Sequence, residues 1–213
     1  MSAVDGGNVT DEVAVTRSFG AAATLLALGG IAVAIALDPT FSWTTDALSD
    51  LGVRDRSAPA FNWGLILGGI AGVGYALGLW RSAAGSPIAA VRAAVLAFAM
   101  VAMAGVGVFD LTEPLHGPAA IGFYTLITVA FAVDGLARRS TTTGRVVLAF
   151  AAVHVAVWAT FVAGGWPVSG LALPELPGAL MLAAWVWVLG PLPVLGPMFD
   201  SVGTRTDGID EAD

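Results

Sequence analysis

The 213-residue chain is predicted to be an all-α polytopic membrane protein, a single bundle of six transmembrane helices with both termini cytoplasmic. Three observations carry that prediction. Six apolar runs (Ser18–Leu37, Phe61–Trp80, Ile88–Phe109, Pro118–Ala137, Arg145–Gly165 and Gly178–Phe199) each match the ~20 residues that cross a ~30 Å hydrocarbon core. The composition, 57% hydrophobic and 12% charged with a mean hydropathy of +0.83, lies outside that of soluble domains. Apolarity within the runs is unbroken, as in Val146–Val153 and Leu180–Val188, whereas the strands of a barrel alternate with period two.

The domain plan is therefore an acidic cytoplasmic tail over 1–17, the transmembrane domain over 18–199 and a second acidic tail over 200–213. In the first helix, Ala34-Ile35-Ala36 could pass for a signal-cleavage site. The preceding tail is acidic, with Arg17 its only base, and the run is too long for a signal peptide, so the helix is expected to be retained. The second helix follows Pro59 and carries Gly64, Gly68 and Gly72 at a spacing of four, with Gly74 and Gly78 as a further pair. Such a ridge lets helix backbones approach closely in lipid, against a neighbour in the same chain or against a second copy in a homo-oligomer. Ser86-Pro87 opens the third helix as an N-cap followed by a proline whose missing N–H would be unpaired anyway. Pro118 and Pro177 are placed at the starts of the fourth and sixth helices. Pro191, Pro193 and Pro197 are expected to kink the inner half of the sixth, since each removes a backbone donor.

Basic residues set the orientation. If six helices alternate, Arg17, Arg81, Arg92, Arg138, Arg139, Arg145 and Arg205 share one side, and only Arg54 and Arg56 lie on the other. Positive charge stays inside, so both termini are expected in the cytoplasm of a cell-membrane protein. Trp43, Trp63 and Trp166 then fall near the outer interface and Trp80 near the inner one. All nine bases are Arg, and the net charge of −7 is concentrated in segments such as Asp5–Glu12 and Thr206–Asp213. Acidic, lysine-free surfaces suit a halophilic archaeal source, with GC-rich codon usage the competing explanation. No cysteine is present, which removes disulfides and thiolate chemistry. No basic stripe exists for nucleic acid.

Candidate chemistry gathers in the first two outer loops. The first contains Asp38, Asp46, Ser49, Asp50 and Asp55, with Asn62 opening the next helix. The second contains Asp110, Glu113 and His116. Carboxylates and an imidazole at one face suit a divalent cation or proton transfer. The plainer reading has Ser, Asp and Asn capping helix ends, and Asp50 or Asp110 pairing with Arg54 or Arg56. His154 lies about midway along the fifth helix, where a polar ring needs a partner and marks a possible intramembrane polar site. One hydrogen bond to a hydroxyl or carbonyl would satisfy it structurally. Asp134 is expected to pair with Arg138, four residues on.

Three segments carry a resemblance: Leu48-Ser49-Asp50-Leu51-Gly52, Phe61-Asn62-Trp63-Gly64, and Gly107-Val108-Phe109-Asp110 with His116. Through them the chain resembles the DUF998 family of archaeal and bacterial membrane proteins, a group without an established activity, over about residues 15–200. The Ser-Asp-x-Gly segment followed by Phe-Asn is also similar to the Frag1/DRAM/Sfk1 group, which implies a lipid-related role. Ser49, Asp110, His116 and His154 echo the residue types of the ceramidase and adiponectin-receptor hydrolases. A third histidine and a His-x-x-x-His pair are missing, which argues against such a zinc site.

The expected function is recognition of a lipid headgroup, or a cation bound to one, in an outer polar pocket of Asp46, Ser49, Asp50, Asn62, Asp110 and His116. Membrane lipids are the expected partners. No resident cofactor is expected; a divalent metal belongs only to the alternative, a metal-assisted lipid hydrolase or transferase. A small transporter is the third reading. Whether the chain is an enzyme is left open by its residues.

Overall fold

The computed structural model describes residues 5–196, with side chains from residue 10 onward. Every regular element among them is helical: α1 (Asp5–Leu37), a 3-10 turn (Leu48–Gly52), α2 (Ala58–Arg81), α3 (Pro87–Val108), α4 (His116–Ala137), α5 (Thr142–Val162) and α6 (Ala172–Ala184). A π-helical turn, Trp185–Leu189, continues α6. Counted with that turn, six helices are long and apolar enough to cross a membrane, so the chain is a multi-pass helical membrane protein. Consecutive helices from α1 to α5 pack as neighbours, and α6 with its π turn touches α5, α4 and α1, closing the bundle. The two ends are named below by His116, which opens α4, and Arg138, which follows it.

Close packing of α1 on α2 explains the glycine ridge. A Cβ on Gly64 would lie 2.8 Å from the Gly30 Cα and from the Leu26 carbonyl, and one on Gly68 would lie 2.9 Å from the Ala23 carbonyl. Gly72 faces Met100 of α3 instead. The ridge is therefore used within the chain, two glycines against one neighbour and one against the other.

Helix starts are mostly set by local chemistry. The Ser86 hydroxyl accepts the Ala89 N–H at 3.5 Å and the Thr141 hydroxyl accepts the Gly144 N–H at 3.0 Å, capping α3 and α5. Three boundaries differ from expectation. α1 begins at Asp5 rather than Ser18, because a nucleated helix propagates past the apolar stretch wherever nothing breaks it. Asn62 lies one turn inside α2, and His116 is the first residue of α4 rather than a loop residue.

The largest correction concerns α6. It starts at Ala172, so Pro177 lies inside it and not at its start. Its irregularity is the π turn, which precedes Pro191 and Pro193; Pro197, Phe199 and Arg205 lie outside the described residues, as does the acidic segment 200–213. Backbone accounting gives the reason. The Gly190 N–H reaches the Trp185 carbonyl at 2.6 Å, an i to i+5 bond. Pro191 and Pro193 cannot donate to the carbonyls of Trp187 and Leu189 four residues earlier. The Leu195 N–H supplies the first at 3.1 Å and the Arg138 guanidinium the second at 2.7 Å. The prolines thus end the helix, and side chains and returning backbone cover the exposed carbonyls.

Candidate functional site

A narrow cavity runs along the inside of the bundle; about 870 Å³ of space unfilled by atoms lies in it and its open mouth together, of which about 70 Å³ can take the centre of a water-sized sphere. Its walls come from all helices but α5, with Leu65, Met100, Phe123 and Leu182 typical of the apolar lining. From Phe61 to Tyr75, both in the wall, α2 advances fourteen residues, or about 20 Å. Three residues give the His116 end of this chamber its polarity: Ser49, His116 and Glu175.

Each of the three is placed by backbone chemistry. Ser49 sits in the 3-10 turn, which Leu48 and Leu51 anchor as buried core residues. The Asp50 carboxylate stabilises the turn by accepting the Ala47 N–H at 2.7 Å. His116 Nδ1 lies 2.7 Å from the Phe109 carbonyl. A carbonyl only accepts, so Nδ1 is the donor to it, and Nε2 has no partner among the described residues. Glu175, in the first turn of α6, accepts the Leu48 N–H at 2.8 Å and is only 6% exposed. A carboxylate at that depth is expensive without a partner, and one backbone bond satisfies only part of it.

Of the six residues expected to form a pocket, the structure brings Ser49 and His116 to the chamber and uses the other four elsewhere. Asp46 accepts the Arg54 guanidinium at 2.8 Å and the Ser42 N–H at 3.0 Å. Asp50 braces the 3-10 turn. Asn62 donates from Nδ2 to the Gly52 carbonyl at 2.9 Å, while its Oδ1 is buried without a partner. Asp110 closes a tight turn, accepting the Thr112 N–H at 2.8 Å and its hydroxyl at 2.5 Å. Thr112's hydroxyl and N–H hold the Asp110 carboxyl below the usual range, with a smaller contribution from His116. Neither Asp50 nor Asp110 pairs with Arg54; that guanidinium clamps Asp38 at 2.7 Å together with Asp46.

The clamp holds the first loop over the end of the bundle. Backbone bonds tie the same loop to the α5–α6 connection: Ser169 and Gly170 donate to the Thr44 carbonyl, and Ala172 to that of Asp46. The Thr40 hydroxyl, then Arg54, lower the Asp38 carboxyl from 3.8 to about 2; the Ser42 N–H, then Arg54, lower Asp46. Depressed carboxyls stabilise the folded loop above their ordinary range and lose that effect as pH falls through the folded value. Protection of the amides of residues 38–57 from hydrogen exchange, relative to their intrinsic rates at each pH, is therefore expected to fall between about pH 4 and pH 2. Arg54→Gln should reduce that step, and an unchanged pH profile in the variant would refute the clamp.

His154 is fully buried and both its nitrogens are engaged. The Trp158 indole donates to Nε2 at 3.1 Å, which makes Nε2 an acceptor and puts the ring proton on Nδ1. Nδ1 then donates to the Thr128 hydroxyl at 2.7 Å, and that hydroxyl donates in turn to the Tyr124 carbonyl at 2.7 Å. The ring does not line the chamber; it packs against Gly178, where a Cβ would lie 2.5 Å from Nε2.

Glu175 is the residue that sequence reading missed. Starting the sixth helix after Pro177 put it in a loop, although a lone acid inside Leu171-Ala-Leu-Pro-Glu-Leu-Pro-Gly178 was a visible signal. Among the described residues no three His, Asp or Glu side chains come together as a metal-holding group.

A family model described as a protein of unknown function (DUF998) matches residues 21–191. No curated protein and no solved structure matches the chain.

Proposed function

We propose that this chain, which belongs to the DUF998 family, holds a lipid-like amphiphile in its chamber, its polar head at Ser49, His116 and Glu175. The observation that carries this reading is a long, mostly apolar cavity whose carboxyl and imidazole groups both lie at one end, while the hydroxyls of Thr24 and Tyr75 farther along it are engaged by Trp187 and the Leu192 carbonyl. The chamber's length of about 20 Å exceeds one leaflet, half of a ~30 Å core. Lipid tails are as apolar as the chamber wall, so burying a tail there gains little over leaving it in the bilayer. Selectivity then rests on the mouth. A partly satisfied carboxyl group, an unpartnered imidazole nitrogen and a hydroxyl favour a head with several hydrogen-bonding groups, hydroxylated or cationic.

Arginine asymmetry supports placing the His116 end outside and both termini in the cytoplasm of a cell membrane. The acidic, lysine-free composition supports a halophilic archaeal origin.

Ala179, on the chamber wall, provides the test. Ala179→Phe fills the space and should lower the lipid retained per protein by about fivefold, roughly 1 kcal/mol, at unchanged yield and monodispersity. Mass spectrometry of the extracted lipid measures it, and wild-type lipid content in a folded variant would sink the proposal.

A further inference from the structure

The Arg138 end of the bundle holds a second polar cluster that neither the chamber mouth nor the loop clamp uses. Asp134 of α4 is fully buried and takes a hydrogen bond from Arg92 of α3 at 2.9 Å and from Arg138 Nε at 3.0 Å. Arg17 of α1 comes to the same region. It lies three residues before Gly20, where a Cβ would meet Tyr75 and Val186 at 3.0 Å, and seven before Thr24, which accepts the Trp187 indole at 2.7 Å. Residues at these spacings share one helix face, so Arg17 looks toward Tyr75 and the π turn. Tyr75 packs edge-on against Trp185, ring centroids 6.2 Å apart, and the Trp185 indole donates to Asp134 at 2.7 Å, which ties the Arg17 face of α1 to the Asp134 cluster.

With Arg17 counted, this cluster sets three guanidiniums beside one carboxylate, a net charge of +2 (three minus one); only Arg92 and Arg138 pair with that carboxylate. Among the described residues Arg17 has no carboxylate partner. The Nε atoms of both Arg17 and Arg92 are buried with no hydrogen-bond acceptor. Arg92 is 7% exposed, and uncompensated cationic charge in such surroundings calls for an anion. The Arg138 side chain, 23% exposed, gives access from the bundle end.

We propose that this cluster is an anion site for a phosphate group, supplied by a phospholipid headgroup of the adjacent leaflet or by free phosphate. Guanidinium forks match phosphate oxygens two at a time, and Nε with its neighbouring Nη is one such fork. Arg138 and Arg92 keep Asp134 as their structural partner while Arg17 and the free edge of Arg92 take the ligand. The site is separate from the chamber mouth, and its test does not depend on what the chamber holds.

The experiment uses full-length protein in an uncharged detergent, titrated with dioctanoyl-phosphatidylglycerol, with dioctanoylglycerol, and with sodium phosphate, reading the thermal midpoint. The phosphatidylglycerol is expected to raise the midpoint and the glycerolipid to leave it unchanged. Protection by sodium phosphate would identify free phosphate as sufficient, and its failure would identify the headgroup; either supports the site. Arg17→Gln should weaken the apparent affinity about tenfold, while the exposed Arg145→Gln leaves it as it was. Equal protection by the two lipids, equal loss in both variants, or a wild-type titration of Arg17→Gln would overturn the proposal. Should Arg17→Gln aggregate, Arg17→Lys is read instead: it keeps the charge without the fork, and wild-type affinity in it would also overturn the proposal.

Discussion

Asp134→Ala is expected to destabilise the protein by about 3–5 kcal/mol, the range for removing one partner of a buried ion pair. Asp134 is 0% exposed and accepts from Arg92, from two nitrogens of Arg138 and, at 2.7 Å, from the Trp185 indole. Its removal strands two guanidiniums in apolar surroundings, and that stranding is the larger part of the loss. It also frees Arg138 from the geometry in which it covers the Leu189 carbonyl, so the end of α6 should fray. Trp185→Phe is the calibration. It deletes one hydrogen bond to the same carboxylate and should cost about 1–2 kcal/mol. Unfolding by dodecyl sulfate, followed by circular dichroism, compares the two. If the alanine variant lost no more than the phenylalanine one, the ion pairs would contribute nothing and the account of this end would fail.

Gly64→Leu is expected to have an effect of similar size at a different place. The Gly64 Cα faces Gly30 so closely that even a methyl group would meet backbone on α1, at 2.8 Å. Backbone cannot rotate away as a side chain can, so the helices must separate along their whole contact. Overpacking of this kind costs about 1–3 kcal/mol for a few methylenes, and more where nothing can yield. The yield of monodisperse protein and its thermal midpoint should both fall. Gly29→Ala is the control, because a Cβ there meets nothing within 4 Å. A dimer that dissociated while the monomer kept its stability would show instead that the ridge is an intermolecular seam.

The membrane-spanning plan was legible in the chain because it depends on local quantities. Solvent partition is read from twenty consecutive residues, a cap from Ser86 and the N–H three residues later, and the Asp134–Arg138 pair from a spacing of four. Failures came where the governing contact is distant in the chain. Leu48 and Glu175 are 127 residues apart, and only their meeting makes Glu175 a buried acid at the chamber mouth. Arg92, expected near a loop, is instead a buried partner of Asp134, 42 residues away. Asp46, Asp50, Asn62 and Asp110 are a different case: the groups that engage them lie within ten residues of each, as the plainer capping and pairing reading of the sequence allowed.

What the chain determined alone is therefore its solvent, its number of spans and most of their boundaries, since hydrophobic run length and capping act within a few turns. Tertiary structure decided which polar groups face the chamber, which glycine meets which helix and where α6 begins and ends. Those outcomes depend on backbone groups brought together across the bundle, and no spacing along the chain encodes them.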